Sequence, residues 1–214
     1  MARSAGSNRT GYQPIPGRLY LYSGKGRKQL IIETVVSTID RENMPNFAPM
    51  GITCNAQLVV IRPFVSSKTY QNLKDRGEAV INITDNVLII AKTAIGDKNV
   101  RHRPDSFTAC HLLEDACRFI SCVAEKIEEQ GERAVFSCRI LGRSRLRDFC
   151  GFNRAKHAVI EASIMATRLH LYPRELVGRK LDEYRMLVQK TGSSQEEEAL
   201  QLLDNYIQRK LQQR

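Results

Sequence analysis

Tryptophan is absent from the chain, and only seven tyrosines and seven phenylalanines stand among its 214 residues. Proteins that grip single-stranded nucleic acid stack its bases on exposed aromatic rings. The scarcity therefore weighs against that partner. No apolar run approaches the roughly 18 residues of a membrane-spanning helix, so no membrane partner is expected. There is no Cys-x-x-Cys pair. The four histidines do not fall at metal-ligand spacings, so a zinc site is not expected. The six cysteines, Cys54, Cys110, Cys117, Cys122, Cys138 and Cys150, read as buried free thiols of a reducing compartment, and the expected location is cytoplasmic. Residues 1–28 contain no acid and no apolar segment of the kind a secretory signal carries. A mobile basic tail is expected over 1–27.

The formal net charge is +10, from 33 Lys and Arg against 23 Asp and Glu. Much of that excess sits in the tail, as Arg3, Arg9, Arg18, Lys25, Arg27 and Lys28. A second cluster, Arg139, Arg143, Arg145, Arg147, Arg154 and Lys156, is opposed only by Asp148. It reads as a solvated surface. Nucleic acid is not the expected partner; if it were, binding would fall steeply with salt.

Up to about residue 150 the pattern is strand-like. "LIIETVVSTI", "QLVVIRPF", "AVINIT" and "NVLIIAKTAI" are rich in β-branched residues and read as strands. "DRENMPN" is a turn cluster and "GDKNVRHRPDSFT" a polar loop. "SSKTYQNLKDRGE" reads as a short helix capped by Ser66 or Ser67 and stopped at Gly77. "CRFISCVAEKIEEQGERAVFSCRILGRSR" reads as two strands joined at Gln130-Gly131. One short helix among so many strands predicts an antiparallel, Greek-key-like β-barrel over 28–150. From Asn153 the period becomes helical. Val159, Ala162, Ala166 and Leu169 share one face, as do Leu181, Tyr184 and Val188, and Leu200, Leu203, Ile207 and Leu211. Pro173 and Gly192 punctuate the run, and Ser194 with Glu197 have capping-box spacing. A three-helix region over 151–214 is expected, giving an α+β chain.

The stretch "NMPNFAPMGI" opens a strand with Pro49 and Gly51, residues of edges, bulges and close approaches. Either it is a bulged edge strand or something flat lies against it. A flavin would need hydroxyl or backbone partners, such as Ser37 and Thr38, and small residues such as Ala48 to Gly51 beside its ring. "RPFVSSKTY" then places Arg62, Ser66, Ser67, Lys68 and Thr69 at a helix start. That is either a phosphate cradle or a Ser-capped helix with a solvated lysine. His102, His111 and His157 are lone histidines without paired carboxylates, so none is assigned a catalytic role.

The order "ETVVSTID", "NFAPMGI", "RPFVSSKTYQNL", "GEAVINIT", "ACRFISCVAEKIEEQGERAVFSCRI" resembles the FMN-binding split-barrel flavoproteins, flavin reductase-like and pyridoxamine-phosphate oxidase-like. It is most similar to a branch carrying a helical region that opens like "FNRAKHAVIEASIMATR". The resemblance implies a homodimer with FMN at the subunit interface. It implies Thr34, Ser37 and Thr38 along the ring and Pro49, Met50 and Gly51 at its other edge. Ser67, Lys68 and Thr69 would hold the phosphate, helped by Arg62 or Asn82. The function it implies is a reductase or oxidase of a small molecule, with hydride or electron transfer at the flavin. No nicotinamide-binding motif is recognisable. A non-catalytic flavin-binding or protein-interaction module stands as the alternative.

Overall fold

The computed structural model describes residues 29–213; the basic tail expected over 1–27 lies outside them. Six strands close an antiparallel barrel in the order β1-β2-β3-β8-β7-β4. They are β1 (Ile32–Ile39), β2 (Pro45–Cys54), β3 (Leu58–Ile61), β4 (Glu78–Ile83), β7 (Arg118–Gln130) and β8 (Arg133–Arg145). Period-2 alternation decides what fills the barrel. On β8, Ala134, Phe136 and Cys138 point inward and Arg139 outward. They meet Val36, Ile52, Ile61, Ile81 and Ile120 from the other strands in one buried cluster. The hairpin between β7 and β8 turns at Gly131, whose φ of 62° is left-handed and suits glycine.

Helix α1 (Lys68–Arg76) sits between β3 and β4 as expected, capped by Ser67, whose hydroxyl accepts from the Tyr70 N–H at 3.2 Å. Three local expectations need correction. "NVLIIAKTAI" is not a strand but helix α2 (Val87–Ala94). Asn86 caps it, its side-chain oxygen accepting from Leu88 and Ile89 at 3.1 and 3.3 Å. Val87, Ile89, Ile90, Ala91 and Thr93 are all buried, so no polar face exposes the helical period. The loop "GDKNVRHRPDSFT" contains β5 (His102–Pro104), which pairs with β6 (His111–Leu113). The capping box lies one residue early, at Ser193 and Glu196. Glu196 is buried against Lys156, 2.7 Å away, and that pairing selects it over the exposed Glu197.

Helices α3 (Arg154–Thr167), α4 (Arg174–Thr191) and α5 (Ser194–Gln212) follow, with a 3-10 turn at Leu169–Leu171. Their apolar stripes pack on one another and on α2. Small residues of α3, Ala155, Ala158 and Ala162, allow close approach. Val35 and Phe47 belong to the same buried cluster, so the helical core continues onto the outside of β1 and β2. Arg147 clasps the joint. It pairs with Asp85 and Asp115, while Lys156 donates to the Asp85 carbonyl at 2.8 Å. Although burial works against it, the Arg147 guanidinium and the Cys150 amide hold the Asp85 carboxyl well below the usual carboxylate range. Among the described residues, no helix is long and apolar enough to cross a membrane.

Candidate functional site

Strand β2 pairs with β1 from Pro45 to Ile52, but β3 meets it only at Ile52–Cys54. The stretch from Pro45 to Gly51 therefore keeps one unpaired edge, where a proline forfeits no ladder bond. A cleft of about 600 Å³ opens along that edge. Its floor is Ala48 to Gly51 with Thr34. One wall is the β3–α1 connection. The other is made by Ile90, Thr93 and Ala94 of α2 and by Ile160, Ser163, Ile164, Thr167 and Arg168 at the end of α3.

One end of the cleft is cationic. Arg62, Arg133, Ser67 and Thr69 line it. The Arg133 guanidinium lies 3.9 Å over the Phe64 ring and donates to the Arg62 carbonyl at 2.9 Å, so it is held in place with no carboxylate paired to it among the described residues. The first-turn amides of α1 have no intrahelical acceptor and, with the helix dipole, favour an anion there. Glu33 and Arg168 also line the cleft. Partial loss of water and then the Glu161 charge hold the Glu33 carboxyl above its ordinary range, with Arg168 opposing.

Of the residues expected at the site, the structure brings Thr34, Pro49, Met50, Gly51, Arg62, Ser67 and Thr69 to this one cleft. Thr34 donates its hydroxyl to the Met50 carbonyl at 2.8 Å, and Ser67 is engaged as the helix cap. Ser37, Thr38, Lys68 and Asn82 lie elsewhere. Ser37 and Thr38 are fully buried; their oxygens accept from Asn82 at 2.7 Å and from Asn72 at 3.0 Å. Asn82 is itself buried, donating to the Val35 carbonyl and accepting from the Leu113 N–H at 2.8 Å. These three work as a polar brace between strands. Lys68 turns out of the cleft to Asp40, 3.2 Å away. The side chain of the residue after a cap points outward, and an acid was within reach.

Arg133, Glu33, Thr93, Ser163 and Arg168 complete the walls and carried no local signal. Arg133 follows an ordinary hairpin turn, Thr93 lay in the misread strand, and Ser163 and Arg168 matter only because α3 folds back onto β2. The histidines gather elsewhere. Nδ1 of His102 and Nδ1 of His111 are 2.8 Å apart on the small β5–β6 sheet, and burial, then the His102 charge, lowers the His111 pKa. His157 is exposed. Four cysteines are buried; burial pushes the Cys110 thiol up to about 12, far from a reactive thiolate. Among the described residues no group of three or more His, Cys, Asp or Glu could hold a metal ion.

Solved structures share this architecture. The chain is similar to an FMN-bound protein from Methanosarcina mazei, with TM-score 0.71 and 22% identity over 82% of this chain and 94% of that one. More distant similarities, at TM-scores of 0.46 and 0.45, are to an FMN-binding protein of Thermus thermophilus and an NADH:FAD oxidoreductase of Streptomyces globisporus. The first is 16% identical over 67% of this chain and 82% of that one; the second is 16% identical over 54% and 70%. Residues 32–147 match the family model described as "Protein of unknown function (DUF447) N-terminal domain", and residues 153–205 match "Protein of unknown function (DUF447)". The chain belongs to the DUF447 family.

Proposed function

We propose that the protein binds FMN noncovalently in this cleft and acts as a reductase or oxidase of a small molecule. The observation that carries the reading is the polarity of the cleft. Two arginines, two hydroxyls and a helix N-terminus gather at one end of a slot whose floor and walls are otherwise largely apolar. That arrangement suits a phosphate tethered to a flat heteroaromatic ring. Arg62, Arg133, Ser67 and Thr69 would hold the phosphate, and Pro49, Met50, Gly51, Ile160 and Ile164 would border the ring. The similarity to an FMN-bound fold agrees with this. When bound, FMN supplies a carrier of one or two electrons; the residues of this chain bind and orient it and exclude water.

A second copy of the chain is the natural cover. Ile31 and Phe64 stand on the cleft rim with 59% and 41% of their surface exposed, and a two-fold interface would bury both. Light scattering of the FMN-loaded protein should give twice the chain mass.

Titration of the protein with FMN and with riboflavin, followed by flavin fluorescence, tests the binding. FMN should bind at least tenfold more tightly. Equal affinities would remove the phosphate argument and the reading with it. Anaerobic bleaching of bound FMN by a nicotinamide or deazaflavin donor separates an oxidoreductase from a non-catalytic flavin-binding module, which would show no bleaching.

A further inference from the structure

We propose that Glu33 and Arg168 together bind an amide edge, an N–H beside a C=O, of a planar heteroaromatic ring held in the cleft. The inference rests on the flavin-binding reading above. The two side chains come from distant parts of the chain, Glu33 from β1 and Arg168 from the end of α3, and both line the cleft. Their charges act on one another, yet no ion pair closes between them among the described residues.

Opposite charges that face one cavity without touching leave a space with an acceptor on one side and a donor on the other. A carboxylate only accepts hydrogen bonds and a guanidinium only donates them. A plain anion there would meet Glu33, Glu161 and the negative C-terminal end of α3. A plain cation would meet Arg168. A group that donates and accepts side by side satisfies both residues, and an amide or lactam edge does so in one plane.

The backbone is shaped for this. Glu33 is register-paired with Gly51. A Cβ at Gly51 would come within 2.6 Å of Ile31 Cγ2 and 3.3 Å of Glu33 Oε1, so the bare glycine lets the carboxylate lie across the strand. Arg168 is anchored at its own backbone: its N–H donates to Met165 at 3.0 Å and its carbonyl accepts from Leu171 at 2.9 Å. Its guanidinium makes no hydrogen bond or ion pair among the described residues. Ile164 and Ile160, one and two turns back on α3, offer apolar contact for a ring face.

Two sources supply that chemistry: the pyrimidine edge of the flavin itself, or the carboxamide of a nicotinamide bound as a second molecule. Full-length Glu33→Ala and Arg168→Gln, checked for folding by circular dichroism, separate them. If the flavin is the source, each variant binds FMN about tenfold more weakly. The unaltered protein then rejects FMN methylated at the pyrimidine N–H by tenfold or more, and Glu33→Ala narrows that gap. If nicotinamide is the source, FMN affinity stays within twofold, and the change that nicotinamide causes in the bound-flavin spectrum requires about tenfold more nicotinamide in both variants. Variants within twofold of the unaltered protein for both ligands would overturn the inference while leaving FMN binding intact. An unaltered protein that binds no FMN would overturn the functional reading and this inference together.

Discussion

Replacing Arg133 by alanine should damage FMN binding far more than replacing Lys68, although Lys68 is the residue that the helix start "SSKTY" singles out. Arg133 is fixed by the Phe64 ring at 3.9 Å and by the Arg62 carbonyl at 2.9 Å, so little side-chain freedom is lost when it meets a phosphate. A hydrogen bond to a charged group contributes about 1.5–3 kcal/mol. At about 1.4 kcal/mol per tenfold, Arg133→Ala should weaken FMN roughly tenfold to 150-fold. Lys68 is half-exposed and already occupied by Asp40 at 3.2 Å. Lys68→Ala removes a surface ion pair of about 0–1 kcal/mol and should leave FMN affinity within about threefold. Riboflavin, which lacks the phosphate, is the control: Arg133→Ala should leave its affinity nearly unchanged. Fluorescence-quenching titrations of both flavins against the three proteins read all of this directly. A tenfold loss of FMN in Lys68→Ala with none in Arg133→Ala would refute the placement of the phosphate end.

Two further outcomes follow from the joint between barrel and helices. The depressed Asp85 pKa means that its contribution to stability is fully present above the ordinary aspartate value of about 3.9 and is lost as pH falls through the lower folded-state value. Thermal melts of Arg147→Gln should show roughly 1–3 kcal/mol less stability at neutral pH, a figure discounted because Arg147 is one-third exposed. The same variant should show a shallower decline below about pH 4, and an unchanged acid slope would count against the pairing. Truncation after Phe149 should yield an insoluble or loosely packed chain rather than a stable barrel. It uncovers Val87, Ile89, Ile90 and Phe47, each contributing about 1.5–3 kcal/mol of burial, against a total stability of about 5–15 kcal/mol. A truncated protein with sharp side-chain NMR dispersion and a cooperative melt would refute this.

The barrel was legible in the sequence because its strands alternate, and alternation is a local signal. "AVFSC" shows one face to the core and one to water, and Gly131 marks its turn without help from the rest of the chain. The C-terminal helices were legible for the same reason, since each has a wet side. Helix α2 was not, because it packs against β2, α3 and α5, and its partly exposed positions, Leu88, Lys92 and Ala94, are mostly apolar, so no polar face marks the period. That one misreading hid part of one wall of the candidate site. With "NVLIIAKTAI" taken as a strand, nothing in the sequence brings Thr93 or Ala94 to β2, and α3 has no reason to lie across the barrel's open edge. The expected hydroxyls illustrate a second limit. Thr34 and Ser37 are three apart on a strand, so they face opposite sides of it. Thr34 and Ser37 could not both line one face of a ring, and the structure gives the cleft to Thr34 and buries Ser37 against β4 on the opposite side of the strand. Residue type alone could not decide which of the two served a ligand. The decision lay in the strand registers, where Thr34 meets Met50 of β2 while Ser37 meets the buried Asn82 of the neighbouring strand β4.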